Sequence, residues 1–317
     1  MCNEPAEEWP VALLTRRRFL KGSAILAGSG LGFAAYAGGI EPGLMLNITS
    51  YSVSPPNWPR GLKLKIGVIA DIHACEPWMA PARIRHIANM TNALNPDLIV
   101  LLGDFHGGHN FVSGPVVPEQ WGEALSVLKA PLGVHAILGN HDWWHGPLPR
   151  DKGDEGESVR RALRAAGFNC MENDAVRLTK GADPFWLLGL GDQMAYRTDR
   201  FNTRGVDDLD GTLRKLTDDS PAILLAHEPR IFRRTPARIA LTLCGHTHGG
   251  QVNLPEWMDQ KLRPGYMRQG GLVYGHMVDN NRHVIVSAGL GTSILPVRFL
   301  RPPEIVEVDV HAAGEKL

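Results

Sequence analysis

Cysteine is scarce in this chain, with four in 317 residues (Cys2, Cys75, Cys170 and Cys244) and no Cys-x-x-Cys spacing. That excludes a zinc knuckle and a disulfide-rich secreted scaffold, both of which need paired cysteines. Cys75, close to Asp71 and His73, reads as a small buried apolar residue rather than a ligand. An excess of either charge is also absent: 33 basic and 33 acidic residues give a formal net charge of zero, and basic residues gather only near the N-terminus. No platform for DNA or RNA is expected, because phosphate backbones are held by a concentrated basic face. Internal repeats and low-complexity segments are missing, which excludes a solenoid. A His-Glu-x-x-His helix is missing as well; Pro229 follows His227-Glu228 where such a helix would have to run, so a zinc peptidase is excluded.

What the chain does have is a hydrophobic content of 44% against 21% charged residues, enough apolar material to bury a substantial core. At its start, Thr15-Arg16-Arg17-Arg18-Phe19-Leu20-Lys21 precedes an uncharged, mostly small and apolar stretch from Gly22 to Gly39. A basic segment before an apolar run, closed by Ala35-Tyr36-Ala37, has the layout of a secretory peptide and resembles a twin-arginine export signal. The expectation is a signal peptide over 1–37 cut after Ala37, a connector over 38–61, and one domain over 62–317. The protein would then be exported to the periplasm or cell envelope by the twin-arginine machinery. Eighteen glycine-rich residues, Gly22 to Gly39, are short for a bilayer core of about 30 Å, and the alternative is an uncleaved tether.

Apolar runs and helical periodicity alternate through the first half. Leu62–Ala70, Leu98–Leu102 and Val134–Leu138 read as buried strands, with helices expected over Ile84–Leu94 and Glu119–Leu128, as in a parallel α/β sheet. After a helix over Ser158–Ala166 the chain turns strand-rich, at Phe185–Leu190, Ala222–Ala226, Ile239–Leu243, Leu272–Tyr274, Val284–Ser287 and Ile305–Val310. The fold class expected is α/β, a two-sheet β-sandwich flanked by helices. Function belongs at the carboxyl ends of the strands.

Metal-ligating residue types sit at those ends. Leu62–Ala70 runs into Asp71-Ile72-His73, Leu98–Leu102 into Gly103-Asp104, and Val134–Leu138 into Gly139-Asn140-His141-Asp142. Ala222–Ala226 runs into His227-Glu228-Pro229, and Ile239–Leu243 into Cys244-Gly245-His246-Thr247-His248-Gly249-Gly250. Carboxylate, amide and imidazole delivered to one edge from five strand ends suit a two-metal hydrolytic centre. This donor mixture fits Mn, Fe, Zn or Ni rather than calcium, which takes oxygen alone.

In this order the five blocks resemble the calcineurin-like metallophosphoesterase superfamily, with its D-x-H, G-D, G-N-H-[DE], H and G-H-x-H pattern. The likeness runs from about Leu64 to Val310, and the ordered set is far more specific than any one block. It implies that Asp71, His73 and His248 hold one metal, that Asn140, His227 and His246 hold the other, and that Asp104 bridges them. It also implies hydrolysis of phosphoric esters by a metal-bridging hydroxide, with His141 reaching the phosphate or protonating the leaving oxygen. Asp142 is expected to orient His141, and Glu228 to support His227.

Gly245-His246-Thr247-His248-Gly249-Gly250-Gln251, Gly139-Asn140-His141-Asp142-Trp143 and Pro302-Pro303-Glu304-Ile305 look like the exported or membrane-associated phosphodiesterase branch of the YkuE and YaeI type. Ala70 departs from the Gly or Ser frequent before the first aspartate, a small-for-small change. His106 and His109 either line the site or lie on a solvated loop, and Trp143-Trp144 either flank the substrate or pack in the core. The runner-up activity is a pyrophosphatase acting on a lipid-linked or nucleotide-sugar substrate at a membrane surface. An inactive metal-binding scaffold ranks below both, since the bridging aspartate and the histidine after the ligand asparagine are present.

Overall fold

The computed structural model describes residues 30–56, 58–199, 202–255, 257–258 and 272–315, so the Arg16–Arg18 segment lies outside the described residues. Two six-stranded sheets carry the fold. The first runs, in spatial order, Asn47–Val53, Glu304–Val310, Leu64–Ile69, Leu98–Leu102, Val134–Ile137 and Asn169–Cys170. The second runs Gly275–Asp279, Arg282–Val286, Ile239–Cys244, Ala222–Leu225, Asp183–Gly189 and Asp174–Lys180. Leu64–Ile69, Leu98–Leu102 and Val134–Ile137 are parallel neighbours in the first sheet, with Glu304–Val310 antiparallel beside Leu64–Ile69, and all five residues of Leu98–Leu102 are buried, as expected of a strand covered on both faces.

Alternation decides which residues meet between the sheets. Leu64, Ile66 and Val68 from the first sheet share one apolar cluster with Leu187, Ile223, Leu225, Leu241, Leu243 and Ile285 from the second. The outer face of the first sheet packs on helices Pro81–Ala93, Pro118–Leu125 and Glu157–Ala165 through Ile69, Ile99, Ile87, Trp121 and Leu163. Over the second sheet the cover is thinner, a short helix Leu209–Arg214 and the 3-10 turn Pro229–Arg234, with Ile231 and Phe232 filling the gap. The result is the expected sandwich with helices outside.

The stretch 38–61, expected as a connector, is instead part of the body. Asn47–Val53 joins the first sheet as an edge strand, parallel to Glu304–Val310 in register from Asn47 with Glu304 to Val53 with Val310. Its alternating, half-exposed sequence suits an edge, and such a polar strand is masked when apolar runs are the signal sought. Leu272–Tyr274 forms a turn, and the strand follows at Gly275–Asp279, hairpinned to Arg282–Val286. The second-sheet edge strand Asp174–Lys180, likewise polar on one face, pairs antiparallel with Asp183–Gly189.

Candidate metal centre

Three strand ends, those of Leu64–Ile69, Leu98–Leu102 and Ile239–Cys244, lead into candidate ligands forced into the left-handed region. Asp71 (φ 50°), His73 (φ 45°), Asp104 (φ 56°), His246 (φ 70°) and His248 (φ 54°) all sit there. A side chain there is strained, and the strain persists only because surrounding contacts hold the backbone. The bends aim successive side chains inward. Gly103 and Gly139 let the two loops touch: a Cβ on Gly103 would strike the backbone of Leu138 and Gly139.

The donors converge in two sets that share one carboxylate. Asp71, His73, Asp104 and His248 form one, and Asp104, His227 and His246 the other. Asp104 Oδ2 lies 3.5 Å from His73 Nε2 on one side and 3.2 Å from His227 Nε2 on the other. His73 Nε2 faces His248 Nε2 at 3.1 Å, His248 Nε2 faces Asp71 Oδ1 at 3.7 Å, and His246 Nδ1 faces Asn140 Oδ1 at 2.9 Å. Two donors each about 2.1 Å from one ion stand about 3.0 Å apart at right angles and about 3.4 Å at the tetrahedral angle. The 3.1 and 3.2 Å separations fall in that range, and those of 2.9, 3.5 and 3.7 Å lie close to it.

Tautomers agree with metal binding. His73 Nδ1 donates to His106 O at 2.7 Å and His227 Nδ1 donates to Leu102 O at 2.6 Å, leaving each Nε2 turned inward. His227 Nε2 is buried without a hydrogen-bond partner. Burial holds His73, His246, His141 and His248 below the usual imidazole range, so they are neutral and free to ligate. Burial pushes Asp71 up to about 7. For Asp104 burial pushes upward too, but the facing charge of His227 and its hydrogen bond outweigh it and hold the carboxyl well below its ordinary value. Burial pushes His227 down, but the facing Asp104 carboxylate outweighs it and holds that ring well above the usual imidazole range. Buried acids packed among imidazoles make a cavity shaped for cations.

Asp142 has a different job from the one expected. Its carboxylate accepts from the backbone N–H groups of Asp104 (2.9 Å), Phe105 (2.8 Å), His106 (3.2 Å) and Gly139 (2.9 Å). With both oxygens committed it clips the Asp104 loop to the Asn140 loop and does not reach the His141 ring. Glu228 likewise turns away from the His227 ring, accepting from Gln193 N at 3.1 Å and Gln193 Nε2 at 3.2 Å. His141 stands at the rim: its backbone N–H donates to Asp104 Oδ1 at 2.8 Å, and its Nε2 lies 3.3 Å from Ser293 Oγ. Cys75 is buried and free, its thiol pushed up to about 12 by burial, as an apolar filler would be.

A cavity of about 610 Å³ opens over the centre, reaching Asp104, Asn140, His141, His246 and His248 at its floor. Trp144 lines it, while Trp143 packs in the core beneath Arg160, so the aromatic pair divides between the two roles. His106 and His109 are buried and lie off the cavity, neither solvated nor lining. Sequence reading missed Arg197, whose guanidinium stacks 3.8 Å above Trp144, and the wall of Ser293, Ile294 and Leu295. It also missed the loop after Arg282–Val286, where Gly291 N donates to Asp71 O at 2.7 Å. Ala288-Gly289-Leu290-Gly291-Thr292 is one more glycine-rich strand end, and that position was the available signal.

Comparison with known proteins agrees with this geometry. Residues 64–250 match the family profile described as calcineurin-like phosphoesterase. An uncharacterized metallophosphoesterase, YkuE, of Bacillus subtilis (strain 168) is 32% identical over 308 residues, covering 92% of this chain and 96% of that protein. An uncharacterized metallophosphoesterase of Aquifex aeolicus is 28% identical, covering 85% of this chain and 93% of the other. A transmembrane protein with metallophosphoesterase domain from Danio rerio is 27% identical over 92% of this chain and 61% of its own length.

Proposed function

This chain belongs to the calcineurin-like phosphoesterase family and is a metal-dependent phosphoester hydrolase, and from that premise we propose a binuclear phosphodiesterase or phosphatase working in the cell envelope. The observation that carries the binuclear reading is Asp104, with one oxygen turned to His73 on one side and His227 on the other. Asp71, His73 and His248 would hold one ion, Asn140, His227 and His246 the other, and Asp104 both. Such ions, when bound, supply a water acidified toward neutral pH and positive charge for the phosphoryl oxygens.

The chain's own residues do the rest. Asp142 holds the Asp104 and Asn140 loops at fixed separation through four backbone N–H groups. His141, kept neutral by burial, presents its ring to the cavity, where the negative charge of a bound phosphoester draws a proton onto it for the departing oxygen. Arg197 and Trp144 grip the substrate beyond the phosphate. Export rests on the Arg16-Arg17 segment before an apolar run.

A pyrophosphatase acting on a lipid-linked or nucleotide-sugar substrate is the second reading, favoured by a cavity that pairs the Arg197 cation with an apolar Ile294 and Leu295 wall. The deciding experiment is a panel of phosphomonoesters, phosphodiesters and pyrophosphate-linked lipids, run with protein reconstituted with Mn, Fe, Zn or Ni. Turnover of pyrophosphates above simple esters would select the second reading. No turnover at full metal occupancy would leave the inactive scaffold.

A further inference from the structure

The segment that a cut after Ala37 would divide is built into the enzyme. Residues 30–44 are helical throughout, passing through a π-turn at Tyr36–Ile40 into Glu41–Leu44. Ala37 is 2% exposed, and its carbonyl accepts from Arg298 N at 2.9 Å. The next carbonyl, of Gly38, accepts from Trp78 Nε1 at 2.8 Å. Phe33 packs on Phe299 with ring centroids 4.9 Å apart. Glu41, fully buried, takes the backbone N–H groups of Leu300 and Arg301. Proteases need an exposed, locally unfolded stretch, and the Ala37–Gly38 bond is neither.

Its outward side is apolar. Leu31 is 73% and Leu44 79% exposed, with Phe33 and Ile40 also open to solvent. The loop that carries Arg298 continues this apolar surface through exposed Leu300 to Ile294 and Leu295, the wall of the cavity. The chain entering this patch is basic then apolar, Arg16-Arg17-Arg18 and Lys21 before Gly22 onward, an order that suits an anionic lipid surface. From Gly22 to Ala35 there are fourteen residues before the docked turn, and a helix of that length reaches about 21 Å, short of a bilayer core of about 30 Å. Among the described residues, no helix is long and apolar enough to cross a membrane. Crossing and docking therefore compete, and docking leaves the apolar side to lie in the interface.

We propose that segment 30–44 is retained in the working enzyme and that its outward apolar side chains, with Leu300 and the cavity rim, seat the mouth of the site on an anionic lipid bilayer. This rests on the hydrolase reading only for what the site does once seated. Arg298 links the seat to the centre: its backbone holds Ala37 while its guanidinium donates to the carbonyls of Ala288, Gly289 and Gly291, the loop that grips Asp71.

The test uses the full chain recovered from the producing bacterium. Terminal sequencing and intact mass should place the N-terminus upstream of Gly30. The purified chain should float with phosphatidylglycerol–phosphatidylethanolamine vesicles, and the combined variant Leu31→Glu, Leu44→Glu, Leu300→Glu should float at least about tenfold less while hydrolysing a soluble p-nitrophenyl phosphodiester at the parent rate. None of the three side chains lines the cavity. If the combined variant does not fold, Leu44→Glu alone is read the same way. A mature N-terminus at Gly38, or undiminished flotation of the charged variant, overturns the proposal. So does a dimer that the glutamates dissociate while vesicles float no protein, which would assign the patch to a second copy. Flotation without any phosphoester turnover would leave the lipid seat standing and sink the hydrolase reading instead.

Discussion

Asp104 is the residue on which both halves of the centre depend, since its carboxylate faces donors of each set. Asp104→Ala should therefore abolish phosphoester hydrolysis and bring bound metal below two ions per chain by elemental analysis, with the fold kept by the Asp142 clip. Two tightly held ions with normal turnover would refute the shared role. His141 makes a different prediction, because only its backbone touches Asp104. His141→Ala should keep its metal and lose about 10² to 10⁴ in turnover on an alkyl ester, whose alcohol departs poorly without a proton. On a p-nitrophenyl ester the loss should shrink; equal losses would make the role electrostatic stabilisation of the phosphate oxygens. A third residue lies behind the centre. Burial, with the nearby Glu228 carboxylate, raises Asp192 well above its ordinary 3.8. The folded state then holds a proton that the unfolded state gives up, so Asp192 costs stability increasingly as pH climbs above that ordinary value. Asp192→Asn should melt higher than the parent at pH 8, by roughly 2–4 °C per kcal/mol relieved, and the gap should close toward pH 4 in chelator.

At the scale of elements, the strands matter for where they stop. Parallel neighbours Leu64–Ile69, Leu98–Leu102 and Val134–Ile137 end at one edge; the first two run into tight turns, and the third into the short helix Asn140–Trp144. Gly103 is the pivot, at φ 87° and against the backbone of Gly139. An alanine there meets both a left-handed penalty and a backbone clash that no rotamer relieves. Gly103→Ala is expected to cost about 2 to 4 kcal/mol and to lower metal content, read by thermal melting and elemental analysis. A melt within 1 °C of the parent, with two ions bound, would show that the two loops can part without loss.

The whole molecule is a sandwich whose two sheets supply different candidate ligands: the first brings Asp71, His73, Asp104 and Asn140, the second His227, His246 and His248. Bound metal would thus tie the sheets together at one edge. Ions that bind only the folded chain stabilise it by about 2.7 kcal/mol at a hundredfold excess over Kd. Chelation should lower the melting temperature by roughly 5–10 °C for a chain of this size, reversibly on adding metal back. A melt indifferent to chelator, on protein shown to be metal-free, would mean that the sheets need no such tie.

Much of this was legible in the residues. Every candidate ligand follows an apolar run, and runs such as Leu98–Leu102 become strands with unchanged bounds, because burial on both faces leaves an uninterrupted hydrophobic signature. The sandwich followed from the change in rhythm along the chain, and the candidate ligand set from residue types that share one chemistry at one kind of place. Roles set by direction rather than identity were not legible. Asp142 is adjacent to His141 in the chain yet turns to four backbone N–H groups, since a short helix, Asn140–Trp144, points successive side chains apart. Arg197 carries no motif and reaches the cavity only because Trp144 is there to stack on. Asn47–Val53 and Asp174–Lys180 are half polar, and only a sheet edge, which exists once the other strands have assembled, makes them strands. Composition and order thus settled the fold class and picked out the candidate ligand residues, while the neighbours brought by folding settled which way each side chain faces, because orientation is a property of contacts between segments far apart in the chain.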